Sequence, residues 1–119
     1  MNAGWLVAAL LLLAGSGPAD AKFVDGNQLH TWANVSQRFV YGRQLDNYVV
    51  ASESFFTGYI DGVVDTLGES HEICLPDGVQ QSRLEAIIMK YLDTHPERWG
   101  EPAAVLVLSA VQPVFACKS

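Results

Sequence analysis

The apolar residues between Gln44 and Leu67 constrain this chain more than any other feature. Leu45, Tyr48, Val49, Phe55, Phe56, Tyr59, Ile60, Val63, Val64 and Leu67 recur largely at steps of one, three and four. That spacing marks a single apolar stripe on a helix of roughly six turns. The opposite side carries Glu53, Thr57, Asp61 and Asp65. Gly68 is placed to follow the last turn as the residue that ends the helix. Gly58 and Gly62 lie inside it, and each costs a helix about 1 kcal/mol relative to alanine. They share one face, which predicts that another helix or backbone segment approaches closely there. A membrane dimerisation motif does not fit, because Thr57, Asp61 and Asp65 are their neighbours.

The rest of the chain has the same period. Asp25-Gly26-Asn27 offers N-cap side chains to a helix over residues 28–36, with Leu29, Trp32 and Val35 on one face. Residues 69–79, ESHEICLPDGV, carry the turn signals Pro76 and Asp77-Gly78. A helix over 80–94 follows, with Leu84, Ile87, Ile88, Tyr91 and Leu92 as its apolar face. Proline disfavours helical dihedrals in the residue before it and is comfortable in a first helical turn, so His95-Pro96 punctuates the chain and opens a short turn, Pro96–Trp99. The last helix, over 102–112, is apolar almost all round and is expected at the bundle's centre. Pro113 ends it. No convincing strand alternation, internal repeat or low-complexity stretch appears. The expected fold is all-α, a small single-domain bundle of four main helices.

The first 21 residues, MNAGWLVAALLLLAGSGPADA, do not belong to that bundle. Their apolar run, Trp5–Ala14, is about half of the 20 residues that a bilayer span needs. Gly15, Gly17 and Pro18 break it, and Ala19-Asp20-Ala21 is an A-x-A cleavage site. The segment reads as a cleaved signal peptide, with its positive charge supplied by the α-amino group alone. The other readings are a membrane anchor or a mis-assigned start. The domain is then residues 22–119. Half of the whole chain is apolar, and its net charge is −6. Part of that apolar excess leaves with the signal, and so does one negative charge, Asp20. A domain this small is only marginally stabilised by burial, so a covalent staple is expected.

Export places Cys74 and Cys117 in an oxidising compartment, and two cysteines allow one intramolecular pairing. A bridge would close a loop of about 43 residues, which chain entropy values at roughly 4 kcal/mol. Two free thiols, or a metal site with His71, are the alternatives. Two cysteines and one histidine make a poor zinc shell.

Little catalytic chemistry is legible. Seven scattered basic residues against thirteen acidic ones exclude nucleic acid, whose phosphates need clustered cations. Asp61 and Asp65 form an i, i+4 carboxylate pair, which reads as a solvated helix face rather than a glycosidase or metal site. His30, His71 and His95 are dispersed. No serine sits in a G-x-S-x-G elbow, and no glycine-rich phosphate loop follows a strand. Cys74 as a nucleophile competes poorly with Cys74 as half of a disulfide. The chain is therefore expected to be no enzyme and to need no cofactor or metal, which leaves a binding or inhibitory module.

Five short motifs in order carry a resemblance. They are Gly26-Asn27-Gln28-Leu29 with Trp32; Gly58-Tyr59-Ile60-Asp61-Gly62-Val63-Val64-Asp65; Cys74-Leu75-Pro76-Asp77-Gly78-Val79; Lys90-Tyr91-Leu92 with His95-Pro96; and Pro102-Ala103-Ala104 leading to Phe115-Ala116-Cys117. In these, the chain resembles the Rap/Tai family of immunity proteins associated with type VI secretion. A further cysteine pair found in that family falls near positions held here by Ala33 and Phe56, and Ala116 stands where a proline is frequent. In this pattern Gly58, Tyr59, Gly62, Pro76, Tyr91 and Pro96 are structural.

The resemblance implies a periplasmic antitoxin that binds a peptidoglycan amidase and blocks its cleft sterically. Such proteins are often dimeric, so a homodimer is a possible state, and no membrane contact is implied once the signal is cleaved. The expected binding surface is the exposed side of the helix over 80–93, with Gln81, Arg83 and Glu85, joined by the turn over 94–101, where Trp99 would be an aromatic anchor. In the alternative, Trp99 caps the core and the charges only solvate the surface. Two other functions fit the same sequence: an Hde-like periplasmic acid-stress chaperone, and an envelope protein of immunity fold without a toxin partner.

Overall fold

Side-chain caps set the starts of the first two helices. The structure, a computed structural model, describes residues 22–40 and 46–118, without the side chains of 38–40. The proposed signal peptide, and Gln44 and Leu45 at the head of the long periodic stretch, lie outside the described residues. Helix α1 spans Gly26–Val40 and α2 spans Asn47–Glu69. The Asp25 carboxylate accepts from the Gln28 N–H at 2.9 Å, and the Asp46 carboxylate from the Val49 N–H at 2.8 Å. Each satisfies a donor that a first helical turn leaves unpaired. Helix α3 spans Gln81–Thr94, a 3-10 turn covers Pro96–Arg98, and α4 spans Ala103–Val111. No strand occurs among the described residues beyond an isolated bridge between Asp25 and Pro102. The expected all-α bundle of four main helices is the observed one.

All four helices contribute to one core. Leu29 and Ala33 of α1 meet Phe56, Ile60 and Val64 of α2, Leu84, Ile88 and Leu92 of α3, and Leu106, Val107 and Val111 of α4. Ile73 and Phe115 seal the end beside the disulfide. Helix α4 is less central than its composition predicts: Ala103, Leu106, Val107, Ala110 and Val111 are buried, but Ala104 and Val105 face outward. Nine residues have too short a girdle to be covered on every side by three neighbours. The apolar stripe of α2 is also narrower than its sequence. Val49, Phe56, Ile60 and Val64 are buried, whereas Tyr48 and Phe55 are each 58% exposed. Those two lie well round the helix from the Phe56–Ile60–Val64 line.

Two glycine expectations are corrected. Helix α2 does not stop at Gly68. It runs on to Glu69, and the left-handed residue is His71, at φ 57°. The His71 N–H donates to the Gly68 carbonyl at 3.2 Å and the Glu72 N–H to the Leu67 carbonyl at 2.9 Å. This is a Schellman closure, and Leu67, whose carbonyl it satisfies, packs against the core. Gly58 and Gly62, expected to meet another helix or backbone, face open space: a Cβ at either would have no neighbour within 4 Å. They lie directly opposite the buried Phe56–Ile60–Val64 line, so the contacts that bury α2 leave them outside. The close approach occurs at Gly26, where a Cβ would sit 2.7 Å from the Trp99 Cα and 2.9 Å from its carbonyl oxygen. Gly26 and Asn27 donate their N–H groups to the Glu101 and Trp99 carbonyls, both at 3.0 Å. The head of α1 is thus fastened to the turn before α4.

Cys74 and Cys117 are disulfide-bonded, 43 residues apart, tying the α2–α3 loop to the tail after α4. The Cys74 N–H donates to the Phe115 carbonyl at 2.8 Å beside it. Among the described residues, no helix is long and apolar enough to cross a membrane.

Candidate functional site

Positions i and i+4 of a helix share a face, so Gln81 and Glu85 of α3 point the same way. Both reach α2. The Gln81 Nε2 donates to Asp61 Oδ1 at 2.7 Å. The Thr57 hydroxyl lies 3.0 Å from Glu85 Oε1 and 2.9 Å from Glu53 Oε1. A hydroxyl has one proton, so Thr57 serves one carboxylate at a time and leaves the other facing its lone pairs. Burial pushes the Glu85 carboxyl above the usual range. The Thr57 hydrogen bond pulls it back, and the charges of Glu53 and Asp61 push it up further. With exposed Asp65 one turn beyond Asp61, this junction of α2 and α3 is a continuous acidic face.

The other two expected binding residues lie elsewhere. Arg83 projects from the opposite side of α3, its guanidinium 5.4 Å from the centre of the Phe115 ring. Trp99 is half-buried and stacks on His30, with ring centres 3.9 Å apart. Its indole N–H donates to the Leu92 carbonyl at 2.8 Å. His30 Nε2 in turn lies 3.0 Å from Asp93 Oδ1. Trp99 therefore clamps the end of α3 to α1. The structure brings Gln81 and Glu85 together and separates them from Arg83 and Trp99.

Of the residues expected to be structural, Tyr59 and Tyr91 have assignable contacts, whereas Gly58 and Gly62 face open space. The Tyr59 ring lies 6.3 Å from that of Trp32, and burial raises its phenol above the ordinary value, against a hydrogen bond from the Ala104 backbone. Tyr91 stacks on His95 with ring centres 3.9 Å apart, and its hydroxyl accepts from Arg98. Arg98 also holds Glu101 through two hydrogen bonds, at 2.6 and 2.8 Å, which keep that carboxyl below the usual range. Pro96 opens the 3-10 turn, and Pro76 is exposed in the α2–α3 loop. The sequence places Glu53 and Thr57 only on the side of the helix opposite its apolar stripe. Thr57 and Glu85 are 28 residues apart, and no local spacing signals their meeting.

Among the described residues, no group of three or more His, Cys, Asp or Glu side chains is placed to hold a metal. What the arrangement presents is a rigid, charged exterior on a stapled bundle. The sequence model of the Rap1a immunity proteins matches residues 25–117, a span that takes in all four helices, the acidic junction and both cysteines. The chain belongs to the Rap1a immunity protein family. No curated protein matches it. In this Rap1a immunity protein the α2–α3 junction is preformed: Gln81 holds Asp61, and the Thr57 hydroxyl serves Glu53 or Glu85.

Proposed function

We propose that this Rap1a immunity protein acts in the periplasm, where it binds a peptidoglycan amidase delivered by type VI secretion and blocks its active-site cleft by steric occlusion, without catalysis of its own. The observation that carries the reading is the acidic α2–α3 face, built on a disulfide-stapled bundle of an immunity family. A preformed negative surface is complementary to a cleft with a cationic rim, and such complementarity speeds encounter and rejects wrong partners. The export signal read in residues 1–21 and the single disulfide agree with an oxidising compartment. A homodimer belongs to the same reading: Tyr48, Phe55, Gly58 and Gly62 leave a side of α2, edged by Asp61 and Asp65, open to a second copy.

The test uses the full chain, expressed for export and recovered oxidised, with a purified type VI peptidoglycan amidase of the same organism. The expected result is co-purification and loss of muropeptide cleavage at equimolar protein. Doubling the ionic strength should slow association, and Glu53→Lys with Asp61→Lys should abolish inhibition. Full amidase activity in the presence of excess protein would overturn the proposal.

A further inference from the structure

The exposed side of the disulfide opens onto a cleft of about 510 Å3, bounded by the α2–α3 loop, the first turn of α3 and the tail after α4. Ligand sites run roughly from 300 to 1,000 Å3, so it is large enough to take several side chains. Its walls are apolar. Leu75 is 37% and Val114 46% exposed, and Pro76 and Phe115 complete the lining. Its charges are both positive, Arg83 and Lys118, and no carboxylate lines it. Among the described residues, neither cation forms an ion pair; Arg83 is engaged only by the face of Phe115. This patch reverses the sign of the molecule, which carries seven basic and thirteen acidic residues.

Charge and shape together select an occupant. An extended polyanion would be repelled by the acidic remainder of the surface, whereas a short acidic segment meets only the two cations. The exposed Leu75 and Val114 require that the segment also carry an apolar side chain. We propose that this cleft docks an acidic peptide segment of a protein partner, with its carboxylates on Arg83 and Lys118 and one aliphatic or aromatic side chain between Leu75 and Val114. Cys74 lines the site and is bonded to Cys117. The bridge holds the tail wall, residues 114–118, against the loop wall, so docking requires the oxidised protein. The site lies across α3 from the acidic face, because Arg83 projects away from Gln81 and Glu85, and it stands whether or not the partner is an amidase.

The test titrates the full chain, expressed for export, recovered oxidised and 15N-labelled, with the capped peptide Asp-Glu-Phe-Leu-Asp-Glu. Amide shifts should move at Leu75, Arg83 and residues 114–118. Affinity should fall roughly tenfold in the Arg83→Glu, Lys118→Glu double variant and on replacing the peptide's acids by Asn and Gln. Reduction with dithiothreitol should remove the response. Arg83→Gln with Lys118→Gln serves as a milder pair, expected to lose affinity while keeping the native amide spectrum. No shifts at millimolar peptide, equal binding of the neutral peptide, or unchanged affinity in both double variants would overturn the proposal. So would concentration-dependent self-association that the charge reversal abolishes, since the occupant would then be a second copy of the chain.

Discussion

A histidine in the left-handed region carries a backbone penalty of about 1–2 kcal/mol that glycine does not. His71 bears it at the close of α2, where its side chain is exposed. His71→Gly should therefore raise stability by about 1 kcal/mol, or some 4–8 °C in a melting scan for a domain of this size. An unchanged melting temperature would mean that the imidazole has a compensating contact. Glu85 supplies a second test. Its carboxyl is held above its unfolded value, so the native state binds the proton more tightly than the unfolded chain does. Stability should fall as pH rises from the unfolded value of about 4.3 through the folded one, and stay lower above it. Glu85→Gln keeps an acceptor for Thr57, adds a donor toward Glu53 and removes the charge. At pH 7 it should stabilise by roughly 0.5 kcal/mol after solvent screening, and at pH 4 it should be close to neutral. Urea unfolding at the two pH values separates the outcomes. None of this is visible in the sequence at Glu85, because the shift comes first from burial and then from the charges of Glu53 and Asp61, and only the fold supplies both.

At the scale of elements, helical period was legible because burial of one side imposes it directly on residue spacing. How wide the buried arc is, and what lies opposite it, depends on neighbours the period does not name. Hence Phe56, Ile60 and Val64 were readable as core, while Tyr48 and Phe55 on the flank of the same stripe were not readable as exposed. The glycines show the same limit. Gly58 and Gly62 advertise a close approach through their spacing, yet it is Gly26, isolated in sequence, whose missing Cβ lets Trp99 lie against α1. A paired experiment follows. Gly58→Ala with Gly62→Ala should stabilise the monomer by about 1–2 kcal/mol through helix propensity alone, since each new methyl enters open space. Gly26→Ala should destabilise by about 1–3 kcal/mol, because the methyl meets backbone that cannot move aside. Thermal unfolding reads both. If the Gly58 and Gly62 pair instead loses stability only at high protein concentration, the open side of α2 is covered by a second copy.

Across the whole molecule, the disulfide closes a loop that contains α3 and α4 in full, so the two helices nearest the tail are held by one covalent tie as well as by their core contacts. Its existence was legible from cysteine count and export context. Its mechanical role was not, because that depends on Phe115 and Ile73 packing beside it and on the Cys74–Phe115 backbone bond. Chain entropy assigns the bridge roughly 4 kcal/mol, a large share of the 5–15 kcal/mol that an ordinary domain possesses. Cys74→Ser with Cys117→Ser should therefore lower the urea midpoint by about a quarter to four-fifths and leave the domain largely unfolded near 37 °C. If the staple acts on the unfolded chain, stability falls while the native amide spectrum of the refolded variant stays nearly unchanged outside residues 70–79 and 112–118. A variant that keeps its stability would show that the four-helix core suffices alone, and would limit the bridge to shaping the cleft at its side.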